Sequence, residues 1–296
     1  MRSEPSPMTR RNLLEAIAFT GATALHSAPA DRWRIGCYTR PWDQFDYRVA
    51  LDGMAEAGFK YAGLMSHKGK SWILVNPDTP VEEAAAMGEE VRKRGMETLS
   101  IYGGDFPVQK SVEEGIVGLR RLIDNCAACR CPGLLLGGTG KPELVDTYYR
   151  VVRECCDYAA SKGVGLSVKP HGGTNATGAE CRKIFERVDD KNFGIWYDPG
   201  NIFYYSDGKL DPVDDAPSVN GLVVGMSVKD YRPPKEVLVT PGTGKVNFRE
   251  VLARLKRGGF TSGPLVIECL DRGDTPAAIT AEARKAREFL LELTTS

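Results

Sequence analysis

Short apolar runs alternate with amphipathic stretches eight times along this chain, and that alternation constrains the fold more than any other feature. The runs cover 34–38, 61–65, 96–102, 133–136, 164–168, 193–197, 222–228 and 264–267. Each is short and nearly continuously apolar, as parallel strands covered on both faces must be. The stretches between them carry helix punctuation: Thr79-Pro80 is a start signal, and Gly58, Gly95 and Gly163 are stops. Four runs end in polar clusters, namely Lys169-Pro170-His171, Asp198-Pro199-Gly200-Asn201, Lys229-Asp230 and Glu268. Polar groups so remote in sequence meet only if the strands are parallel and their C-terminal ends face one mouth. The sequence therefore predicts a single (β/α)8 TIM barrel with its site at that mouth. No G-x-G-x-x-G follows the first run, which argues against an open, doubly wound sheet.

The 296 residues include 39 basic and 39 acidic side chains. That balance gives no electrostatic drive toward nucleic acid or an anionic membrane, and no stretch is long and apolar enough to span a bilayer. Residues 1–30 are read apart from the barrel, which occupies 31–296. Thr9-Arg10-Arg11-Asn12-Leu13-Leu14 resembles a twin-arginine export signal, an apolar run follows, and Ala28-Pro29-Ala30 is an A-x-A cleavage pattern. The expectation is a bacterial, periplasmic protein whose signal is removed. Eight cysteines raise the question of disulfides or zinc, but Cys126-x-x-Cys129-x-Cys131 lacks a second half with matching spacing. Cysteines within strand and helix patterns are expected to pack as small hydrophobes.

Four segments carry a family resemblance: Asp198-Pro199-Gly200-Asn201, Val228-Lys229-Asp230-Tyr231, Pro241-Gly242-Thr243-Gly244 with Phe248, and Leu265-Val266-Ile267-Glu268. In these the chain resembles the sugar phosphate isomerase/epimerase superfamily, the xylose-isomerase-like barrels. The resemblance implies a divalent metal held by Glu, Asp, His and Glu at the ends of strands five to eight, polarising a sugar carbonyl. It also implies a sugar or polyol as the small-molecule partner, and a homo-oligomer as in many members. Asp198 and Glu268 match the second and fourth ligands, whereas Lys169 stands at the first, Ser227 at the third, and Asn201 where a second histidine is often found. A protonated lysine has no lone pair for a metal. It can instead supply the fixed positive charge: Lys169 against Asp198 and Glu268 leaves one net negative charge, the same as a dication among three carboxylates.

Three readings follow. A metal (Mn, Zn or Mg) binds through His171, Asp198 and Glu268. Alternatively no metal binds, and Lys169 acts as electrophile or imine-forming amine, with Glu268 or His171 carrying the proton. In the third, the barrel only binds a sugar or a partner protein. The expected chemistry is isomerisation, epimerisation or a related lyase step, with Glu268, Lys169 and His171 catalytic. Trp42, Lys229, Asp230 and Asn201 are the expected substrate contacts, Trp42 for its aromatic face; Trp196 is expected to pack. Lys229 and Asp230 have a second reading, as an ion pair with each other at the rim. DNA repair, known for this barrel type, is disfavoured by the charge balance, the export signal and the missing histidines.

Overall fold

The computed structural model describes residues 32–295, so the expected signal at 1–30 lies outside the described residues. Eight parallel strands close in sequence order, with the last pairing to the first. They are β1 (Trp33–Tyr38), β2 (Tyr61–Leu64), β3 (Glu97–Tyr102), β4 (Gly133–Leu136), β5 (Gly165–Val168), β6 (Phe193–Tyr197), β7 (Val223–Val228) and β8 (Gly263–Ile267). The surrounding helices are α1 (Tyr47–Glu56), α2 (Val81–Lys93), α3 (Val112–Ala128), α4 (Val145–Ser161), α5 (Gly178–Val188), α6 (Pro199–Tyr205), α7 (Pro212–Asp215), α8 (Phe248–Arg257) and α9 (Pro276–Thr295). Local chemistry sets their limits. Thr177 and Glu180 form a reciprocal capping box at the start of α5, and Ser111 caps α3. On α8, Phe248, Val251, Leu252 and Leu255 are buried at the spacing of one helical face.

Strict alternation of one helix per strand fails after β6. The polar cluster Asp198-Pro199-Gly200-Asn201 is itself the start of a helix, in which Asp198 caps α6 and Pro199 opens it. Proline with its fixed φ and missing N–H suits that first helical position. All eight cysteines are buried and free, as packing residues would be.

Side chains inside the barrel form a cluster separate from the layer between strands and helices: Tyr38, Met65, Leu99, Leu135, Trp196 and Val266. Two large rings fit there because neighbouring strands offer glycine. A Cβ on Gly63 would lie 2.2 Å from the Tyr38 ring, and one on Gly225 would lie 2.3 Å from the Trp196 ring. Strand side chains alternate with period two. Ser167 with Lys169, Trp196 with Asp198, Ser227 with Lys229, and Val266 with Glu268 therefore share the inward face. The uppermost inward position of four successive strands is charged. At the opposite end, a cavity of about 200 Å³ is lined by Arg34, Gly165, Gly194 and Trp196. It holds no acid–base cluster and lies at the face that in such barrels serves stability.

Candidate active site

Five charged side chains meet at the C-terminal ends of β1, β5, β6, β7 and β8. Lys169 places Nζ 3.2 Å from Asp198 Oδ2 and 2.8 and 2.6 Å from the two Glu268 oxygens. Lys229 lies in the same place, with Nζ 2.6 Å from Glu268 Oε1, 3.3 Å from Asp198 Oδ2 and 3.0 Å from Asn201 Oδ1. Arg40, just past β1, donates from Nη1 to Glu268 Oε1 at 2.8 Å. Ser227 donates to Glu268 Oε2 at 2.7 Å and accepts from Trp196 Nε1 at 3.1 Å, tying the cluster to the barrel interior. Asp198 divides its oxygens: Oδ2 faces the lysines, and Oδ1 accepts from the Asn201 N–H at 2.9 Å.

Lys169, Asp198, Lys229 and Glu268 are all buried. Burial alone would raise the Glu268 carboxyl, but Lys169, Lys229 and Arg40 hold it well below the usual range. The two amines diverge. Burial lowers Lys169, and Glu268 only partly restores it against the nearby Lys229 charge. In Lys229 the same burial is outweighed by Asp198 and Glu268, which raise it. Three cations thus surround two carboxylates, leaving one positive charge in surplus. The single negative charge expected from Lys169, Asp198 and Glu268 is corrected, because Lys229 and Arg40 also point inward.

The expected metal ligands do not assemble. Among the described residues, no group of three or more His, Cys, Asp or Glu side chains is placed to hold a metal ion. The space between Asp198 and Glu268 is taken by two ammonium groups, neither with a lone pair to offer. A divalent cation does not fit this donor set. His171 is exposed beside the cluster, its ring 6.0 Å from that of Tyr102 and 5.9 Å from that of Tyr205. Displacement of water by its surroundings, then Lys169 and Lys229, push its pKa down to about 3, so it is neutral at pH 7.

Several expected substrate contacts are elsewhere. Trp42 is fully buried in the outer core, because the short helical turn Arg40–Trp42 sends the arginine to the mouth and the indole beneath α1. Asp230 does not pair with Lys229. Its carboxylate accepts from the backbone N–H groups of Tyr231, Gly242, Gly244 and Val246 at 2.8–3.0 Å, fixing the loop 231–246. Asn201 is buried, donating to the Pro170 carbonyl at 2.6 Å while accepting from Lys229. It positions Lys229 rather than facing ligand. Trp196 packs inside the barrel as expected.

A cleft of about 380 Å³ opens above the cluster, with Glu268, Arg40, Asp43, Trp72, Tyr204 and Leu270 in its walls. Its aromatic wall is Trp72, 48% exposed, which the long polar loop after β2 carries to the mouth. The Trp72 indole N–H donates to Asp43 Oδ2 at 3.1 Å, and the Arg40 guanidinium lies 6.0 Å from the ring. Nothing in the local pattern around Trp72 separates it from a solvated loop residue; its role is visible only from the closed barrel.

Residues 51–293 match the model of a family described as xylose isomerase-like TIM barrel. No curated protein matches the chain. Among solved structures, a xylose isomerase domain protein from Planctomyces limnophilus is similar at 20% identity and TM-score 0.67, over 88% of this chain and 97% of that one. A D-allulose 3-epimerase from Methylomonas sp., in complex with D-allulose, is similar at 18% identity and TM-score 0.70, over 88% and 97%. A D-psicose 3-epimerase from Clostridium cellulolyticum H10, with D-tagatose, is similar at 14% identity and TM-score 0.69, over 88% and 99%. What these share with the chain is the fold.

Proposed function

Because the chain belongs to the xylose isomerase-like TIM barrel family, we propose that it moves a proton beside the carbonyl of a small sugar or polyol derivative, as an isomerase or epimerase does, with its own ammonium groups where a divalent metal would stand. The observation that carries this reading is the Glu268 carboxylate, which forms part of the cleft wall while Lys169, Lys229 and Arg40 hold it from behind and beside. A carbonyl oxygen near Arg40 and Lys229 would be polarised, and the negative charge that develops on it would meet fixed cations. Glu268 is the proton acceptor facing the cleft. A carboxylate held so far into its anionic form is a weak base, so removal of the proton depends on how strongly the cations acidify the C–H bond. Lys169 fixes both Glu268 oxygens and sets their orientation.

One observation favours a second route. Burial lowers Lys169, making it the readier of the two lysines to lose its proton, and a neutral buried amine can form an imine with a ketose. The experiment that tests the main reading is incubation of the protein with a panel of ketoses and aldoses in deuterated water and chelator, followed by proton NMR. The expected result is loss of the C–H signal next to the carbonyl of at least one sugar, abolished by Lys169→Met. Binding without exchange for every sugar would leave the barrel a non-catalytic binder. Borohydride treatment that leaves the mass of a reduced ketose on Lys169 would select the imine. We also propose export through the signal resembled by residues 1–30. Retention of an Arg10→Lys/Arg11→Lys variant in the cytoplasm, with the unaltered chain in the periplasm, is the expected outcome.

A further inference from the structure

We infer that the sugar taken by this cleft carries an anionic oxyacid group, a carboxylate or a phosphate, which docks on Arg40 while a C–H face of the sugar lies on Trp72. The inference rests on reading the cleft as the sugar site and names the substrate class.

Charge provides the first argument. Within the cluster, Lys169, Lys229 and Arg40 outnumber Asp198 and Glu268, and Asp230 cannot help because loop N–H groups already occupy its carboxylate. A surplus charge among buried groups is costly, and a ligand that brings one negative charge removes the imbalance. Of the other charges lining the cleft, Lys235, Glu236, Arg272 and Asp274 are exposed, balanced in sign and screened by solvent, and Asp43, half-buried at the mouth, is turned to the Trp72 indole N–H and lies outside the buried cluster.

Geometry provides the second. Of the three guanidinium nitrogens of Arg40, Nη1 bonds Glu268; the other two make no hydrogen bond to the described residues. The side chain is 23% exposed and lines the cleft. A guanidinium anchored at one corner, with its remaining N–H groups available, matches the paired oxygens of a carboxylate or phosphate. Trp72 is the one aromatic among the large exposed hydrophobic side chains of the described residues, and Asp43 fixes its indole. A fixed, exposed ring beside a guanidinium is suited to a ligand that is apolar on one face and anionic at one end.

The test is calorimetric titration of the full chain with glucuronate, glucose 6-phosphate and glucose, independent of turnover. At least one anionic sugar is expected to bind about ten- to a hundredfold more tightly than glucose, the range for a charge-assisted pair of hydrogen bonds. Tighter binding of glucuronate assigns the carboxylate, and tighter binding of the phosphate ester assigns the phosphate. Arg40→Gln should bring the ratio close to one, and Arg40→Lys should retain part of it. Trp72→Ala should weaken all three ligands by roughly tenfold, with Trp72→Phe restoring most of the loss. Equal affinity for glucose, or an unchanged ratio in Arg40→Gln, overturns the inference. Anion preference without deuterium exchange would sink the proton-transfer reading alone; exchange with neutral sugars only would sink this inference alone. Binding of none of the three would overturn this inference and leave the proton-transfer reading to the exchange experiment.

Discussion

Glu268 interacts with Lys169, Lys229, Arg40 and Ser227 at once, so the two residues most tempting to substitute have unequal consequences. Lys169→Met leaves two cations with two carboxylates and replaces one long side chain by another of similar shape. Glu268→Gln leaves three cations around Asp198 alone. Breaking a buried ion pair from one side typically costs about 3–5 kcal/mol. Glu268→Gln should therefore destabilise by about that amount, while Lys169→Met costs clearly less; urea denaturation of both measures the difference. Equal losses would mean that the surplus charge is already neutralised by something else. His171 gives a second test at this scale. Its ring proton should show no titration by NMR between pH 8 and pH 5, since its pKa is pushed down to about 3. A midpoint near 6.5 would mean that water reaches the ring more freely, and that the cations act on it less, than their places in the structure require. Residue by residue, the sequence was informative where a strand end was unambiguous. Lys169, Asp198 and Glu268 each follow a clean apolar run. Lys229 reads from the sequence as a substrate contact or the partner of Asp230; only the closed barrel shows that it shares the inward face with Ser227 and meets Glu268. Trp42 was misplaced because a one-turn helix after β1 exchanges the faces of Arg40 and Trp42, which no period-two argument anticipates.

At the scale of elements, the site is held by connections whose chemistry is as local as any hairpin. Asp198 serves two elements, capping α6 with one oxygen and meeting lysines of β5 and β7 with the other. The Asp198-Pro199 pair that signals this cap stands in the sequence, aspartate being a favoured cap and proline a favoured first helical residue. Asp215, at the end of α7, braces the same region: it accepts from the Gly178 N–H at the start of α5 and from the Tyr197 hydroxyl at the end of β6. Burial raises its pKa from 3.8 to about 6 despite those bonds. The folded chain therefore binds this proton more tightly than the unfolded chain does. The associated stability is fully present below 3.8 and lost as pH rises through about 6. The shift corresponds to about 3 kcal/mol at most. In Asp215→Asn the amide oxygen can still accept from Gly178 and the amide nitrogen can donate to Tyr197. This variant should remove the fall in thermal midpoint between pH 4 and pH 7; an unchanged slope would assign that fall to another group.

On the scale of the whole molecule, the barrel was legible because its signal is repeated eight times and errors in single boundaries average out. The site was legible only in outline, because five side chains from five strands meet through closure, and closure is a property of no single segment. The same closure leads to a prediction about metals. In a barrel whose strand ends held a dication, binding energy would add to stability as the logarithm of metal concentration over dissociation constant, about 2.7 kcal/mol at a hundredfold excess. Here Lys169 and Lys229 lie between Asp198 and Glu268, and a dication would have to displace both ammonium groups and then face Arg40. Added manganese at millimolar concentration should leave the thermal midpoint where chelator leaves it. In Lys169→Glu/Lys229→Met, which supplies a third carboxylate and removes the second ammonium, the same manganese should raise it by several degrees. Scanning calorimetry of both proteins checks this. A rise in the unaltered chain would show that the lysines yield to the ion, and the case for internal cations as its replacement would fail with them.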